Sequence, residues 1–250
     1  MFEIWIGQMG EYGLLFALAL GFGFGFIHAF DPDHMVAVST MVGRYRNPFR
    51  SFWVGISWGL GHTTTLLIIG IAIIALKLSI PAGLAPYFEG AVALMLIGLG
   101  VQVFYSIRKN KVHQHMPGHE EDDHSHFHSH ADNTADSTGD RDSKGIGRPF
   151  FRTKSYVIGT VHGLAGSAAL ILIVTASITS PLTALTFILL FGLGSVLSMG
   201  LVTIIISFPF VFTANRAPNL TRYIQGSFGV LSILLGVFLV YGFLAETGVL

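Results

Sequence analysis

Six apolar stretches divide the chain, and each is long enough to cross a lipid bilayer as a helix. They cover residues 13–43, 52–76, 86–107, 155–178, 182–212 and 222–245. A helix needs about 20 predominantly apolar residues to cross a hydrocarbon core of about 30 Å. The pattern therefore predicts an all-α integral membrane protein with six transmembrane helices.

Composition supports this prediction and narrows the range of functions. Of the 250 residues, 52% are hydrophobic and 11% are charged, whereas soluble domains carry about 25% charged residues. The expected surroundings are a lipid bilayer, and the formal net charge of zero indicates no nucleic-acid partner. Because cysteine is absent from the sequence, disulfides, thiol redox chemistry and thiolate metal sites are excluded.

The positive residues predict how the helices are oriented, because Lys and Arg are retained in cytoplasmic connections. Of the 14 Lys and Arg residues, all but Lys77 follow the first, third or fifth apolar stretch. We therefore expect a multi-pass protein of the cytoplasmic membrane with both termini outside and residues 108–154 in the cytoplasm.

The two halves of the chain resemble each other. Three pairs of segments match, at offsets of 133, 136 and 134 residues: WGLGH (58–62) with FGLGS (191–195), YFEG (87–90) with YIQG (223–226), and FIHAF (26–30) with TVHGL (160–164). An odd number of spans in each half makes the second half enter the membrane from the opposite side. The pattern thus predicts a 3+3 inverted-topology repeat, with three-helix repeats at 1–107 and 155–250 and a substrate site near the midplane. Chance similarity between glycine-rich apolar helices is the alternative.

A polar motif interrupts the first apolar stretch, where residues 28–34 read HAFDPDH. On a continuous helix His28, Asp31 and His34 are spaced by three and share one face. Imidazole and carboxylate groups suit a borderline divalent cation such as Ni²⁺, Co²⁺ or Zn²⁺. Ionisable residues at this depth indicate function by default, so the motif is a candidate metal site.

Pro32 lies in the middle of this motif. It cannot donate a hydrogen bond to the carbonyl of His28, so we expect a kink or a break in the helix. A break would turn Asp33 toward the same cavity, since irregular backbone at this depth must face protein or water. Asp33 therefore joins the predicted ligands.

Two more histidines lie within the predicted spans, His62 in the second and His162 in the fourth. We predict His62 as a further ligand. His162 is the repeat counterpart of His28, and it is either a ligand or a hydrogen-bonding group between helices. Glu89, near the outer end of the third span, is expected to be an ordinary interfacial carboxylate.

The other seven histidines lie in the long connection, where residues 113–130 read HQHMPGHEEDDHSHFHSH. They are His113, His115, His119, His124, His126, His128 and His130. Because this composition does not permit a packed core, we expect a disordered segment that captures metal weakly through many ligands. A merely solvated loop or a tag is the alternative, and a role as buffer, sensor or delivery arm is open.

These motifs resemble those of the nickel/cobalt transporter superfamily. HAFDPDH matches its H-x4-D-H signature, GLGHTTT resembles its second signature, and HGLAGSAAL with FGLGS resembles the UreH-type branch of urease accessory transmembrane proteins. The resemblance implies transport of Ni²⁺ or Co²⁺, with His28, Asp33, His34 and His62 at the metal site. The best-known permeases of the superfamily have eight spans rather than six. They also have a small residue in place of Pro32 and an acidic residue where GLAGSAAL is neutral.

We therefore expect a secondary carrier and not an enzyme, working by alternating access around the His/Asp site. No permanently bound cofactor is expected; Ni²⁺ or Co²⁺ is the cargo, with Zn²⁺ and Mn²⁺ as alternatives. A cytoplasmic metal chaperone or urease-maturation proteins are the expected partners. The alternatives are a non-transporting metal sensor or urease-maturation partner, and an intramembrane metalloenzyme with a metal-activated water.

Overall fold

The computed structural model describes residues 15, 18–43, 45, 47–76, 85–109, 151–164, 178, 180–214 and 216–248. All regular elements in this part of the chain are α-helices. They are α1 (Leu18–His28), α2 (Pro32–Val42), α3 (Pro48–Leu76), α4 (Ala85–Lys109), α5 (Thr153–His162), α6 (Pro181–Ala214) and α7 (Pro218–Glu246).

Four of these helices, α3, α4, α6 and α7, are long and apolar enough to cross a membrane. They correspond to the second, third, fifth and sixth predicted spans, and the chain is a multi-pass membrane protein. The first predicted span is divided into α1 and α2. The fourth is described only as α5 and the turn that follows it, because residues 165–177 lie outside the described residues, as does the histidine-rich segment 113–130.

Proline marks the beginning of several helices. Pro32, Pro48, Pro181 and Pro218 are the first residues of α2, α3, α6 and α7. The first amide of a helix has no partner within the helix, and the fixed φ of proline suits this position. These four prolines therefore mark the first residue of each helix, a boundary that the apolar pattern alone does not give.

Helices from equivalent positions in the two halves pack against each other. The Thr63 hydroxyl of α3 donates to the carbonyl of Gly192 in α6 at 3.3 Å, and Gly59 lies against Val196. Because positions advance along α3 as they recede along α6, these two helices are antiparallel. Helices α4 and α7 pair in the same way, through the buried Ser232 hydroxyl, which donates to the carbonyl of Leu96 at 2.7 Å.

Contacts between the halves occur in reciprocal pairs. A Cβ on Gly61 would overlap the carbonyl oxygen of Tyr156, and a Cβ on its counterpart Gly194 would overlap the carbonyl oxygen of Phe22. Only glycine permits such close helix approach. Further reciprocal pairs obey the sequence offsets: Gly25–Phe191 with Gly159–Trp58, and Gly100–Gly229 with Gly236–Ala93.

Candidate metal centre

The polar motif lies at a break between two helices. Helix α1 ends at His28, a short turn follows, and α2 begins at Pro32 with Asp31 as its N-cap residue. The backbone of Asp31 is extended, with φ −57° and ψ 142°, and its amide still donates to the His28 carbonyl at 3.1 Å. The break expected from Pro32 is thus confirmed. His28 and Asp31 meet across it, with His28 Nδ1 2.9 Å from Asp31 Oδ2.

The same break turns the Asp33 carboxylate toward the histidines. Its Oδ1 accepts the backbone amide of His34 at 2.9 Å and lies 3.0 Å from Nδ1 of that ring. Its Oδ2 lies 3.0 Å from Nε2 of His162. Asp33 therefore connects the motif of the first half with a histidine of the second half.

Four histidines from four different helices converge beside this carboxylate. His28 ends α1, His34 lies in α2, His62 in α3 and His162 ends α5, and all four are buried. The Nε2 atoms of His28 and His62 are 3.1 Å apart. The ring of His34 lies centrally, with centroids 4.4 Å from His28, 5.2 Å from His62 and 4.1 Å from His162.

Three ring nitrogens in this cluster are buried and have no hydrogen-bond partner among the described residues. They are Nε2 of His34, Nδ1 of His62 and Nδ1 of His162. Leaving a buried polar atom unsatisfied costs about 1–3 kcal/mol, so such atoms are rare in native proteins and call for an explanation. A neutral imidazole nitrogen without a proton is a metal ligand, and a bound cation would satisfy lone pairs of this kind.

The donor atoms form two groups that share His34. One group is His28, His34 and His62, the other is Asp33, His34 and His162, and within each group the donor atoms lie within 4.8 Å of one another. Two nitrogens bound at right angles to one metal at about 2.1 Å are about 3.0 Å apart. The 3.1 Å between Nε2 of His28 and Nε2 of His62 is a hydrogen-bond distance and is also close to this separation.

Charge in the cluster favours a divalent cation. The imidazoles are neutral when they act as ligands, and ionised Asp31 and Asp33 would together supply two negative charges. Asp33 has 26% of its side chain exposed and Asp31 has 38%. Asp31 is thus the more accessible carboxylate, at the edge of the cluster beside His28.

Two aromatic residues that the sequence did not indicate also border the cluster. The Trp58 ring centroid lies 5.2 Å from His34 and 5.4 Å from His162. The Phe191 ring lies 5.3 Å from His28. The offset of 133 residues between WGLGH and FGLGS relates these two positions, and this was the only signal in the sequence that could have found them.

The other polar residues near His62 serve helix packing. Thr65 donates to the carbonyl of Thr160 at 2.9 Å, and Thr64 lies 3.2 Å from the hydroxyl of Tyr156, both in α5. Glu89 lies in α4 and belongs to neither donor group. The seven histidines of the long connection lie outside the described residues, so their capture of metal stays a prediction.

The chain is 36% identical over 233 residues to the urease accessory protein UreH of Bacillus sp. (strain TB-90), covering 93% of this chain and 94% of that protein. The chain belongs to the UreH family. The resemblance to the UreH-type branch of the nickel/cobalt transporter superfamily is thereby confirmed. This chain is also 25% identical over 235 residues to the chloroplast protein FOR GROWTH AND FERTILITY 2 of Arabidopsis thaliana, and the match covers 58% of that protein. No family model and no solved structure matches the chain.

Proposed function

We propose that this protein carries Ni²⁺ or Co²⁺ across a membrane by alternating access around the His/Asp cluster. The observation that carries the proposal is the set of four buried histidines around Asp33, three of them with an unpartnered ring nitrogen. Burying so many ionisable groups among apolar helices is costly unless a cation uses them. Zn²⁺ and Mn²⁺ are the alternative cargoes.

We further propose that the fold is a 3+3 inverted repeat of six spans, in which the predicted stretch 155–178 is the fourth. The reciprocal contacts support this arrangement, because an internal two-fold relation makes each contact between the halves recur at the offset of the repeat. The cluster draws ligands from both halves, as expected for a substrate site at their interface. We propose the orientation that follows from the positive residues, with the long connection in the cytoplasm.

The direction of transport and the partner belong to the same proposal. The relative's name describes a urease accessory protein, which favours uptake of nickel for delivery to a cytoplasmic metal chaperone or to urease-maturation proteins. The same name also favours a second candidate, a membrane partner in urease maturation that binds the metal and does not transport it. Only measured flux separates these two functions.

The test is metal flux into proteoliposomes, comparing Ni²⁺, Co²⁺, Zn²⁺ and Mn²⁺ with and without a pH gradient. We expect saturable flux of Ni²⁺ or Co²⁺ that the double variant His28→Ala with His34→Ala abolishes. Glu89→Gln is the control, since it removes a carboxylate of α4 that lies outside the cluster, and it should retain flux. Unchanged flux in the double variant would refute the site, whereas tight binding without flux in the unmodified protein would favour the non-transporting partner.

A further inference from the structure

Trp58 covers one face of the histidine cluster. Its side chain is 1% exposed, and its ring contacts both His34 and His162. Its indole Nε1 is buried without a hydrogen-bond partner. A buried tryptophan usually finds a partner for this N–H, and here the described residues supply none, although the ring packs in the apolar cluster that includes Val38, Met199 and Val202.

Phe191 covers the cluster at His28. It is also 1% exposed, and its ring centroid lies 5.3 Å from that of His28. Trp58 and Phe191 are repeat counterparts, and so are His162 and His28. The contact of Trp58 with His162, at 5.4 Å, therefore recurs as the contact of Phe191 with His28.

The two aromatic rings approach the cluster from opposite sides. Trp58 lies about 15 Å along α3 from its first residue, and Phe191 lies about 15 Å along α6 from its first residue. Since α3 and α6 are antiparallel, the two helices begin on opposite sides of the protein. The histidines thus lie between one aromatic ring on the side where α3 begins and another on the side where α6 begins.

A polar cavity lies beyond Trp58. Val54 and Ile158, one helical turn before Trp58 and His162, line a cavity of about 30 Å³ together with polar residues. The polar lining residues are Thr40, Tyr45, Gln102, Arg152, Lys154 and Ser155. This volume holds about two waters. Trp58 does not line this cavity and lies one turn further along α3 than Val54.

The side beyond Phe191 is apolar instead. Among the described residues, Phe191 packs in a buried apolar cluster with Leu66, Ile73 and Phe187. Trp58 likewise belongs to a buried apolar cluster, which includes Val38, Met199 and Val202, so a cation must displace apolar groups on either side. In the described part of the chain, the histidine cluster is thus closed on both sides by buried apolar groups.

We infer that Trp58 and Phe191 are the two gates of the metal site, one on each side, and this inference rests on the proposed transport function. Each ring excludes water and hydrated ions from the histidines while it remains in place. An ion leaves on the side where α3 begins only when Trp58 moves, and on the side where α6 begins only when Phe191 moves. The faces of both rings attract cations, which favours passage of the ion along a displaced ring.

The absence of cysteine from the chain gives a direct test. The variant His62→Cys places a reporter thiol inside the cluster, where the native side chain is 0% exposed. Its rate of labelling is measured in oriented vesicles with a membrane-impermeant methanethiosulfonate reagent applied to one side at a time. The His62→Cys variant, which is the background, is then combined with Trp58→Ala, with Phe191→Ala, or with the control Phe210→Ala. Phe210 is an equally buried phenylalanine of α6 that packs against Phe228 and not against the cluster.

The expected result is slow labelling from both sides in the background. Trp58→Ala should accelerate labelling at least tenfold from the side where α3 begins and not from the other. Phe191→Ala should accelerate it from the opposite side and not from the side where α3 begins. Acceleration by neither variant, acceleration of both from the same side, or an equal effect of Phe210→Ala would overturn the inference.

A second reporter covers the case in which His62→Cys does not fold, judged by size-exclusion chromatography in detergent. Ser195→Cys lies at the repeat counterpart of His62 and is 0% exposed, and its hydroxyl donates to the carbonyl of Gly25 at 3.1 Å. Labelling requires no transported ion, so it separates the two proposals. Side-specific labelling without metal flux refutes transport alone, and metal flux with labelling that is not side-specific refutes the gates alone.

Discussion

Two glycines of α1, only two residues apart, are expected to respond in opposite ways when they are replaced by alanine. A Cβ on Gly25 would overlap the carbonyl oxygen of Phe191, whereas a Cβ on Gly23 has no atom of the described residues within 4 Å. Replacing glycine by alanine within a helix contributes about 1 kcal/mol of stability where space permits. We therefore expect Gly23→Ala to be neutral or slightly stabilising and Gly25→Ala to be destabilising.

The loss of stability in Gly25→Ala depends on which atoms must move to make room for the new methyl group. The obstacle at Gly25 is backbone of α6, which cannot rotate away like a side chain, so α1 must shift on the order of 1 Å to restore contact distances of about 3.5 Å. Overpacking of this kind costs about 1–3 kcal/mol, and the rigid obstacle favours the upper end. The two variants should then differ by about 3 kcal/mol, since propensity offsets part of the cost of Gly25→Ala and stabilises Gly23→Ala.

The assay is thermal unfolding of both variants in the same detergent, followed by tryptophan fluorescence. At about 2–4 °C per kcal/mol for a chain of this size, Gly25→Ala should unfold about 6–12 °C below Gly23→Ala. Since His28 lies one turn after Gly25, metal flux should fall in Gly25→Ala and persist in Gly23→Ala. Equal unfolding temperatures would refute the close packing of α1 against α6.

The remaining predictions concern the metal. Ni²⁺ at about 100 times its dissociation constant should stabilise the native protein by about 2.7 kcal/mol, and no rise in unfolding temperature should occur for His28→Ala with His34→Ala; an equal rise would mean that the ion binds elsewhere. Replacing all seven histidines of residues 113–130 with glutamine should change apparent affinity or regulation and retain transport, and complete loss of flux would mean that the segment is part of the route. His162→Ala should bind Ni²⁺ within about 100-fold of the native affinity but lose most of the flux, as calorimetry and proteoliposome assays would detect.

The sequence predicted the long helices because their signal is local. Continuous apolar runs identify α3, α4, α6 and α7, and the missing amide of Pro32 identifies the break before α2. Contacts between distant segments were harder to predict. Asp33 and His162 meet at 3.0 Å although 129 residues separate them, and no spacing rule relates them.

Trp58 and Phe191 show why some site residues escape sequence analysis. An aromatic residue in an apolar helix is typical of a residue that packs in a core or faces lipid, and no local pattern separates these from one that covers a ligand site. Their positions become informative only when the repeat offset is combined with the contacts to His162 and His28. For Trp58 and Phe191, the repeat offset was thus more informative than the chemistry of the side chains.

The proposed ligands do not follow the symmetry of the repeat. His28 and His162 are counterparts, but the sequence offsets relate Asp33 to Ser167 and His62 to Ser195. The first half therefore supplies the complete group of His28, His34 and His62, while the described part of the second half adds His162 alone. An ion can remain bound when His162 is removed, because three histidines of the first half still hold it. It then no longer bridges the halves, and their relative movement cannot carry it from one side to the other. This is why His162→Ala should separate binding from flux, and a loss of binding as complete as in His28→Ala with His34→Ala would contradict the division of the site into two groups.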